Sequence, residues 1–311
     1  MRRASLKKNI SGIDMKIIEC IPNFSEGNNP EIVESIVDAA VRTEGVKVLD
    51  FSMDRDHNRS VLTFIGSPEA TLRGAIAACG RAADLIDMRK HSGVHPRIGA
   101  VDVVPFVPLK GANMPDAVET AHRFGHIFGR KNNVPIYFYG EAVLDKKRKK
   151  LADIRRGEYE GLRDKMSDPA WAPDINPNGS GFNPRLGATA VGARKPLIAF
   201  NINLNSNDIE LARNIARSIR YSSGGLKHVQ AIGILLESRN IAQVSMNLTD
   251  YETTSIRTVF DTVRRKAREH GADILESELI GLIPKAALEG TAANHLKLMD
   301  FSEERIIESH C

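Results

Sequence analysis

The chain has 311 residues, of which 42% are hydrophobic and 26% charged, and a formal net charge of +4 at pH 7. This composition is typical of a globular protein, and the length predicts two domains, because one core rarely grows beyond about 250–300 residues. The small net charge and the lack of a basic stripe interleaved with aromatic residues argue against nucleic-acid binding. No apolar run approaches about 18 residues, which argues against a membrane-spanning helix.

The cysteines and the N-terminal sequence both favour a cytoplasmic protein. Three widely separated cysteines, without a Cys-x-x-Cys pair, predict neither a disulfide framework nor a cysteine metal site. Residues 1–14 carry a basic head but no apolar core, so we expect a disordered extension and not a secretory signal. We expect residues 301–311 to form a short tail.

The first half of the chain follows the order β-α-β-β-α-β. Asn29 followed by Pro30 predicts the start of an amphipathic helix, because asparagine caps helices and proline suits their first position. The polar residues 54–59 predict a turn that joins two strands into a hairpin. A second helix is predicted from Ser67 to Ile86. The predicted strands of this half are residues 16–22, 46–53, 60–66 and 101–107.

This regular order continues briefly and then breaks. Residues 114–131 predict a helix and residues 134–139 a strand. His122 and His126 have a metal-ligand spacing on that helix, but we expect solvent-facing residues of an amphipathic helix there. Residues 172–189 form a loop rich in Pro, Gly and Asn, and loops of this length are usually either functional or linkers.

The second half repeats the β-α-β-β-α-β order. Its helices are predicted from Asn207 and from Thr253 to His270, and its strands are residues 197–204, 228–237, 240–249 and 272–283. The repeat predicts an α/β (α+β) fold of two ferredoxin-like β-α-β-β-α-β subdomains, with their sheets facing each other across a cleft. We expect the subdomains to span residues 15–194 and 195–300.

The segment 86–102 concentrates titratable side chains between a predicted helix and a predicted strand. Histidine titrates near neutral pH and Pro96 biases His95 toward an extended backbone, so His95 is a candidate general acid/base. A solvated basic turn is the alternative. His91 and His95 also have the spacing of two metal ligands on one helical face, but Gly93 and Pro96 disfavour a helix there.

Long runs of the sequence resemble one enzyme family. They are IDMRKHSGVHPRIGAVDVVPFVP (86–108), IIECIPNFSEG (17–27), DRDHNRSVLTFIG (54–66), LADIRRGEYEGL (151–162), GATAVGARKPLIAFNINL (187–204), IAQVSMNLTD (241–250) and ELIGLIP (278–284). Together they resemble the glutamate formiminotransferases, which transfer a formimino group to tetrahydrofolate. The resemblance covers roughly residues 15 to 290.

The resemblance implies a folate-dependent transferase that moves the formimino group of N-formimino-L-glutamate to N5 of tetrahydrofolate, a step of histidine degradation. His95 matches the catalytic histidine of the family. Tetrahydrofolate is then a co-substrate, and no metal is expected. The alternatives are formyl transfer between 5-formyltetrahydrofolate and glutamate, a non-catalytic folate-binding module, and metal-assisted hydrolysis through His91 and His95.

Formimino transfer also needs groups that stabilise charge. The amidine carbon stays cationic, so a fixed carboxylate beside it helps, and Asp54 and Asp56 are candidates. Asn58 and Arg59 are candidate orienting donors, which makes Arg59 a catalytic candidate as well. Arg59 and Arg97 are also candidates to bind the carboxylates of formiminoglutamate. A polar hairpin turn is the alternative for this motif. The further substrate candidates of this half are Asn23, at a strand end, and His91.

The resemblance places folate contacts in the long loop, at Asn176, Gly181, Phe182, Asn183, Pro184 and Gly187. Phe182 either stacks on an aromatic ring of the folate or anchors the loop. In the second half, polar residues alternate along two strands and point to one face: Asn201, Asn203, Gln243, Ser245 and Asn247. That face either lines the cleft or is solvated. Residues 222–225 form a weak phosphate-binding candidate that a helix-to-strand turn explains more simply.

The expected partners follow from the same resemblance. They are the two small-molecule substrates and a second copy of the chain in a homodimer. Because no cyclodeaminase sequence follows residue 300, we also expect a separate cyclodeaminase to consume the product. Nucleic acid and membrane are not expected partners.

Overall fold

The computed structural model describes residues 16–55, 57–93, 96–179, 181–236, 239–299 and 301–310. The described chain divides into two compact units, and the boundary lies between Ala193 and Arg194. Asp56, His95 and the predicted extension 1–14 lie outside the described residues. Within the described part, no helix has the length and apolar character required to cross a membrane.

The first unit contains most of the predicted site. Its helices are α1 (Pro30–Val41), α2 (Pro68–Leu85), α3 (Met114–Asn132), α4 (Leu151–Arg155) and α5 (Leu162–Ser167). Its strands are β1 (Ile18–Cys20), β2 (Asn23–Phe24), β3 (Lys47–Asp54), β4 (Arg59–Gly66), β5 (Val101–Pro108), β6 (Ile136–Gly140) and β7 (Thr189–Ala193). The elements predicted between residues 16 and 139 are therefore present, with bounds that differ by a few residues.

These strands form one mixed sheet. β1 and β2 follow a single path, and each pairs antiparallel with β4 on one side and with β5 on the other. β3 extends the sheet beyond β4, whereas β7 and β6 continue it beyond β5 as parallel strands. No strand was predicted at β7, because its sequence TAVGA is dominated by small residues that carry a weak strand signal. It is nevertheless fully buried between β5 and β6.

The three long helices of this unit begin at residues whose side chains cap them. Asn29 accepts hydrogen bonds from the backbone N–H groups of Glu31 and Ile32, and Ser67 accepts one from that of Ala70. The helices pack on one face of the sheet and bury most of the core there. Each fully buried large aliphatic side chain in such a core contributes about 1.5–3 kcal/mol. The opposite face carries a smaller cluster that includes side chains of α4 and α5.

The hairpin predicted around residues 54–59 is present. β3 and β4 pair antiparallel, with Asp54 opposite Arg59 at the end of the ladder. Asn58 has φ 46°, a left-handed conformation that asparagine tolerates better than most residues. The hairpin therefore brings the polar residues of the turn to one end of the sheet.

The second unit has the predicted β-α-β-β-α-β order. Its strands are β8 (Ile198–Leu204), β9 (Val229–Leu236), β10 (Ile241–Leu248) and β11 (Ile274–Ile280), and its helices are α6 (Ile209–Ile219) and α7 (Ile256–Glu269). The strands pair antiparallel in the order β11-β8-β10-β9. Both helices begin slightly later than predicted, because Asp208 and Ser255 supply the capping oxygens. The mixed α/β class is thus confirmed for the chain, whereas sheets that face each other across a cleft remain a prediction.

Candidate functional site

A small cavity in the first unit collects side chains from three separated segments. Its lining residues are Phe24, Ser25, His57, Asn58, Arg59, His91, Arg97 and Asp102. Four of these were predicted from the sequence, namely Asn58, Arg59, His91 and Arg97. The cavity volume is ≈ 10 Å³, close to the space that one water molecule needs, so the cavity does not hold a whole substrate in this conformation.

A larger depression of ≈ 540 Å³ lies elsewhere, on the outer face of α3. It is an open surface, and its lining includes the histidines of that helix, His122 and His126. His122 bonds through Nε2 to the carbonyl oxygen of Ala142 at 2.7 Å and packs edge-on against Phe138. These contacts give His122 a structural role. The small polar cavity is therefore the better candidate for chemistry.

Asn58 ties the hairpin turn to two other segments of the cavity. Its Oδ1 accepts a hydrogen bond from the backbone N–H of Gly27 at 2.9 Å, and its Nδ2 donates to the carbonyl of Ser92 at 2.8 Å. The turn packs so closely on its neighbours that a Cβ on Gly27 would lie 2.2 Å from the backbone oxygen of Asp54. A Cβ on Gly93 would lie 2.6 Å from the backbone oxygen of His57. Glycine is therefore required at both positions.

His91 is held through both ring nitrogens. Arg97 Nε donates to Nδ1 of His91 at 3.3 Å, and Nε2 lies 3.0 Å from the backbone carbonyl oxygen of Asn58. An N–H group must donate and a carbonyl must accept, so the proton of the neutral ring belongs on Nε2. His91 therefore offers no free ring nitrogen to a metal or a substrate in this arrangement.

Arg97 is buried and paired with two glutamates of a distant loop. Nη1 donates to Glu158 at 3.0 Å and to Glu160 at 2.9 Å, and Nη2 donates to Glu160 at 2.6 Å. Burial opposes the charge on Arg97, but its hydrogen bonds to Glu160 and the nearby charge of Glu158 raise its pKa above the ordinary value. The hydrogen bond from Arg97 in turn lowers the pKa of Glu160. Arg97 is thus engaged with internal carboxylates, whereas the sequence predicted that it binds those of the substrate.

Arg59 lies close to a second buried charge pair, formed by Asp102 and Arg155. Asp102 accepts from the backbone N–H of Ile98 at 2.9 Å and from Nη2 of Arg155. Burial, and next the charge of Arg155, lower the pKa of Arg59 to about 10, against the opposing effect of Asp102. Arg59 also donates to Oδ1 of Asn23, which is itself buried. Asp54 acts on Arg59 in the same direction as Asp102, so the two arginines of this region are matched by two carboxylates.

Asp54 takes part in the hairpin turn itself. Its Oδ1 accepts from the backbone N–H of His57 at 2.9 Å, and its Oδ2 lies 2.5 Å from Nδ1 of His57. Both side chains are about half exposed. These bonds are those of a polar hairpin turn, which was the alternative interpretation of this motif. Two further catalytic candidates, Asp56 and His95, lie outside the described residues.

The predicted folate loop is held by its own turn and by residues outside it. Asn183 Oδ1 accepts from the backbone N–H groups of Arg185 and Leu186, both at 3.0 Å, which is the role of a turn-forming residue. Phe182 packs against the ring of Tyr159 at 5.5 Å and lies under the guanidinium of Arg163 at 5.2 Å. Its observed contacts are thus those of a loop anchor. The remaining candidates of this loop lie along the same path: Asn176, Gly181, Pro184 and Gly187.

The polar candidates of the second unit lie on one face of the sheet, as the alternation predicted. Gln243 is opposite Asn203 and Ser245 is opposite Asn201, while Asn247 continues the same row of β10. The apolar residues between them face the helices. Asn203 is fully buried, accepts from Gln243 Nε2 at 2.8 Å and donates to two glutamates of β11. These glutamates, Glu276 and Glu278, also pair with Arg239.

Several residues of these clusters were not assigned a role from the sequence. They are His57, Asp102, Arg155, Glu158 and Glu160 in the first unit and Arg239, Glu276 and Glu278 in the second. The available signal for three of them was the charged run in residues 151–162, which carries part of the family resemblance. Among the described residues there is no group of three or more His, Cys, Asp or Glu that fits a metal ion.

Comparisons with known proteins match nearly the whole chain. A family profile described as the formiminotransferase domain, N-terminal subdomain, matches residues 17–194, and one described as the formiminotransferase domain matches residues 199–309. The glutamate formimidoyltransferase of Streptococcus pyogenes serotype M1 is 42% identical over 296 residues, 95% of this chain and 98% of that protein. The glutamate formimidoyltransferase of Thermoplasma acidophilum is 41% identical, over 94% of this chain and 97% of that protein.

A longer relative has the same similarity over part of its length. The formimidoyltransferase-cyclodeaminase of Rattus norvegicus is 46% identical over 301 residues, which is 94% of this chain but 55% of that protein. The chain therefore spans about half the length of this relative.

Proposed function

The chain belongs to the formiminotransferase family, and we propose on this basis that it transfers the formimino group of N-formimino-L-glutamate to N5 of tetrahydrofolate. The products are 5-formiminotetrahydrofolate and L-glutamate. The observation that carries the proposal is the similarity to named glutamate formimidoyltransferases over nearly the full length of both chains.

The reaction requires one proton to move between two nitrogens. N5 of tetrahydrofolate attacks the formimino carbon and loses a proton as the tetrahedral centre forms. The glutamate nitrogen gains a proton as its bond to that carbon breaks. One histidine that takes the first proton and returns it balances both steps.

We assign this proton transfer to His95, on the match to the catalytic histidine of the family. His91 and Arg97 flank it in the sequence and both line the small cavity, which supports a site at this place. We propose Asp54 and Asp56 as carboxylates that stabilise the amidine cation. For Asp54 this requires that substrate replace part of its contact with His57.

Besides the amidine group, the site must bind the two carboxylates of formiminoglutamate. We propose that Arg59, held by Asn23 and close to Arg155, supplies the positive charge that attracts it. Asn58 and His91 complete this part of the site by holding the hairpin against the residues before His95. A water-poor pocket strengthens such charge interactions because the local dielectric constant is low.

For tetrahydrofolate we propose two contact regions. One is the loop with Asn176, Gly181, Phe182, Asn183, Pro184 and Gly187. The other is the polar sheet face with Asn201, Asn203, Gln243, Ser245 and Asn247. Ser245 and Asn247 are only partly buried there, so their side chains are accessible to a ligand.

The wider setting follows from the same proposal. We propose a cytoplasmic homodimer that acts in histidine degradation, and a cyclodeaminase that consumes its product. Formation of 5,10-methenyltetrahydrofolate by this chain alone would contradict the need for that second activity.

The first test is the transfer reaction itself, with wild type and His95→Ala compared after both are shown to fold. Loss of a general acid/base typically lowers the rate about 10²- to 10⁴-fold, and we expect a decrease in kcat of that size. Transfer that survives the substitution would mean that a residue other than His95 acts as the base. A wild type that binds folate but transfers only a formyl group, or nothing, would refute the proposed reaction. Activity abolished by a chelator would favour metal-assisted chemistry.

A further inference from the structure

The guanidinium of Arg97 is almost completely used within the protein. Of its five N–H groups, four are committed to His91, Glu158 and Glu160. The Arg97 side chain is 7% exposed, so substrate has little access to the remaining group. An arginine in this state orients its neighbours more effectively than it binds a ligand.

The neighbour that Arg97 orients is His91. The bond from Arg97 Nε requires a lone pair on Nδ1, which leaves the ring proton on Nε2, facing the carbonyl oxygen of Asn58. The ring is therefore fixed in tautomer and in direction.

The glutamates that hold Arg97 lie on a turn with a special backbone. Gly157 has φ +87° and Glu158 has φ 55°, a left-handed conformation that residues with a Cβ rarely adopt. The same turn reaches the proposed folate loop, since the hydroxyl of Tyr159 donates to the carbonyl of Pro184 at 2.5 Å. One short turn thus contacts both Arg97 and the proposed folate loop.

We infer that Glu160 is a positioning residue of the transfer site, which holds Arg97 so that Arg97 fixes the tautomer and orientation of His91. Glu160 makes two of the bonds to Arg97, and Glu158 makes one. The catalytic consequence of this inference rests on the proposed function, because it presumes that the segment from His91 to Arg97 takes part in formimino transfer.

The kinetic test is Glu160→Gln, which keeps the size of the side chain but removes its charge and one acceptor oxygen. Misplacement of a catalytic segment by a short distance can cost about 10²-fold, so we expect kcat to fall about 10- to 100-fold. The KM for formiminoglutamate should stay within about twofold, since no substrate contact is removed. Glu158→Gln should have a smaller effect on kcat.

A matched control is Glu269→Gln, which breaks an exposed arginine–glutamate pair in the second unit. It should leave kcat and KM unchanged. The Glu160 side chain is 63% exposed, so its variant should fold, and circular dichroism checks this.

A second measurement does not depend on activity. Nitrogen-15 NMR of histidine-labelled wild type should show His91 as the tautomer protonated on Nε2, and Glu160→Gln should shift both of its ring resonances. His91 protonated on Nδ1 in the wild type would overturn the inference. An unchanged kcat in Glu160→Gln, or a raised KM with unchanged kcat, would overturn it as well.

These results separate the inference from the proposed function. A wild type without formimino transfer refutes the proposed function, and the NMR signal of His91 then still decides the role of Arg97 and Glu160. A wild type that is active, combined with an unaffected Glu160→Gln, refutes the inference alone.

Discussion

Asp102 and Arg155 form a buried ion pair whose two members should differ in their importance for stability. The side chain of Asp102 is 4% exposed and that of Arg155 is 15% exposed. Asp102 also interacts with Arg59, so one buried carboxylate serves two partly buried cations. We therefore compare Asp102→Asn with Arg155→Met, two substitutions that keep much of the side-chain volume.

The loss of the carboxylate should cost more free energy of unfolding than the loss of the arginine. Asp102→Asn leaves Arg59 and Arg155 as neighbouring, partly buried cations, so we expect a cost of about 3 kcal/mol, the lower end of the range for breaking a buried pair. Arg155→Met leaves Asp102 with the N–H of Ile98 and with the charge of Arg59, so we expect about 1–3 kcal/mol. Arg155→Met should also raise the pKa of Arg59, because the charge of Arg155 is one cause of its low value.

The assay is urea unfolding followed by tryptophan fluorescence. The chain has a single tryptophan, Trp171, in the first unit, so this signal reports the unit that contains the pair. The double variant should be more stable than Asp102→Asn, since it removes one of the unbalanced cations. An Arg155→Met variant that loses as much stability as Asp102→Asn would refute this account of the charges.

Two further predictions concern backbone and pH. Gly187→Ala should cost about 3 kcal/mol, because the added Cβ would lie 2.1 Å from the oxygen of Ile98 and φ is +67°. At Gly179, φ is +60° but an added Cβ would have no atom within 4 Å, so Gly179→Ala should cost only the backbone strain, about 1 kcal/mol. Equal losses of stability for the two variants in urea unfolding would contradict the steric argument. Arg268 lowers the pKa of Asp273 from 3.8 to about 2, so the folded state gains stability above pH 4 that is lost as the pH falls toward 2. Asp273→Asn should therefore lower the free energy of unfolding by about 1 kcal/mol near neutral pH, after allowance for solvent screening. In circular-dichroism unfolding curves this difference from wild type should shrink below pH 4. A difference that is constant with pH would exclude the ion pair as its cause.

Local signals in the sequence were sufficient for most of the fold. Asn29 and Pro30 fixed the start of α1, because capping involves atoms only a few residues apart. The alternation of Asn201 and Asn203 predicted a polar sheet face for the same reason, since neighbouring side chains of a strand point to opposite sides. The strand β7 was missed, because a short run of small residues becomes a strand only when β5 and β6 lie on either side of it.

The candidate site divides in the same way. Sequence and family resemblance identified His91, Arg59 and Arg97, because residue type and order along the chain carry that information. The partners of these residues were decided only by the tertiary structure. Glu160 lies 63 residues from Arg97 along the chain, and no local pattern connects the two. Charge pairing depends on distance in space and on burial. Only folding therefore brings two glutamates to Arg97 and places Arg97 against a histidine.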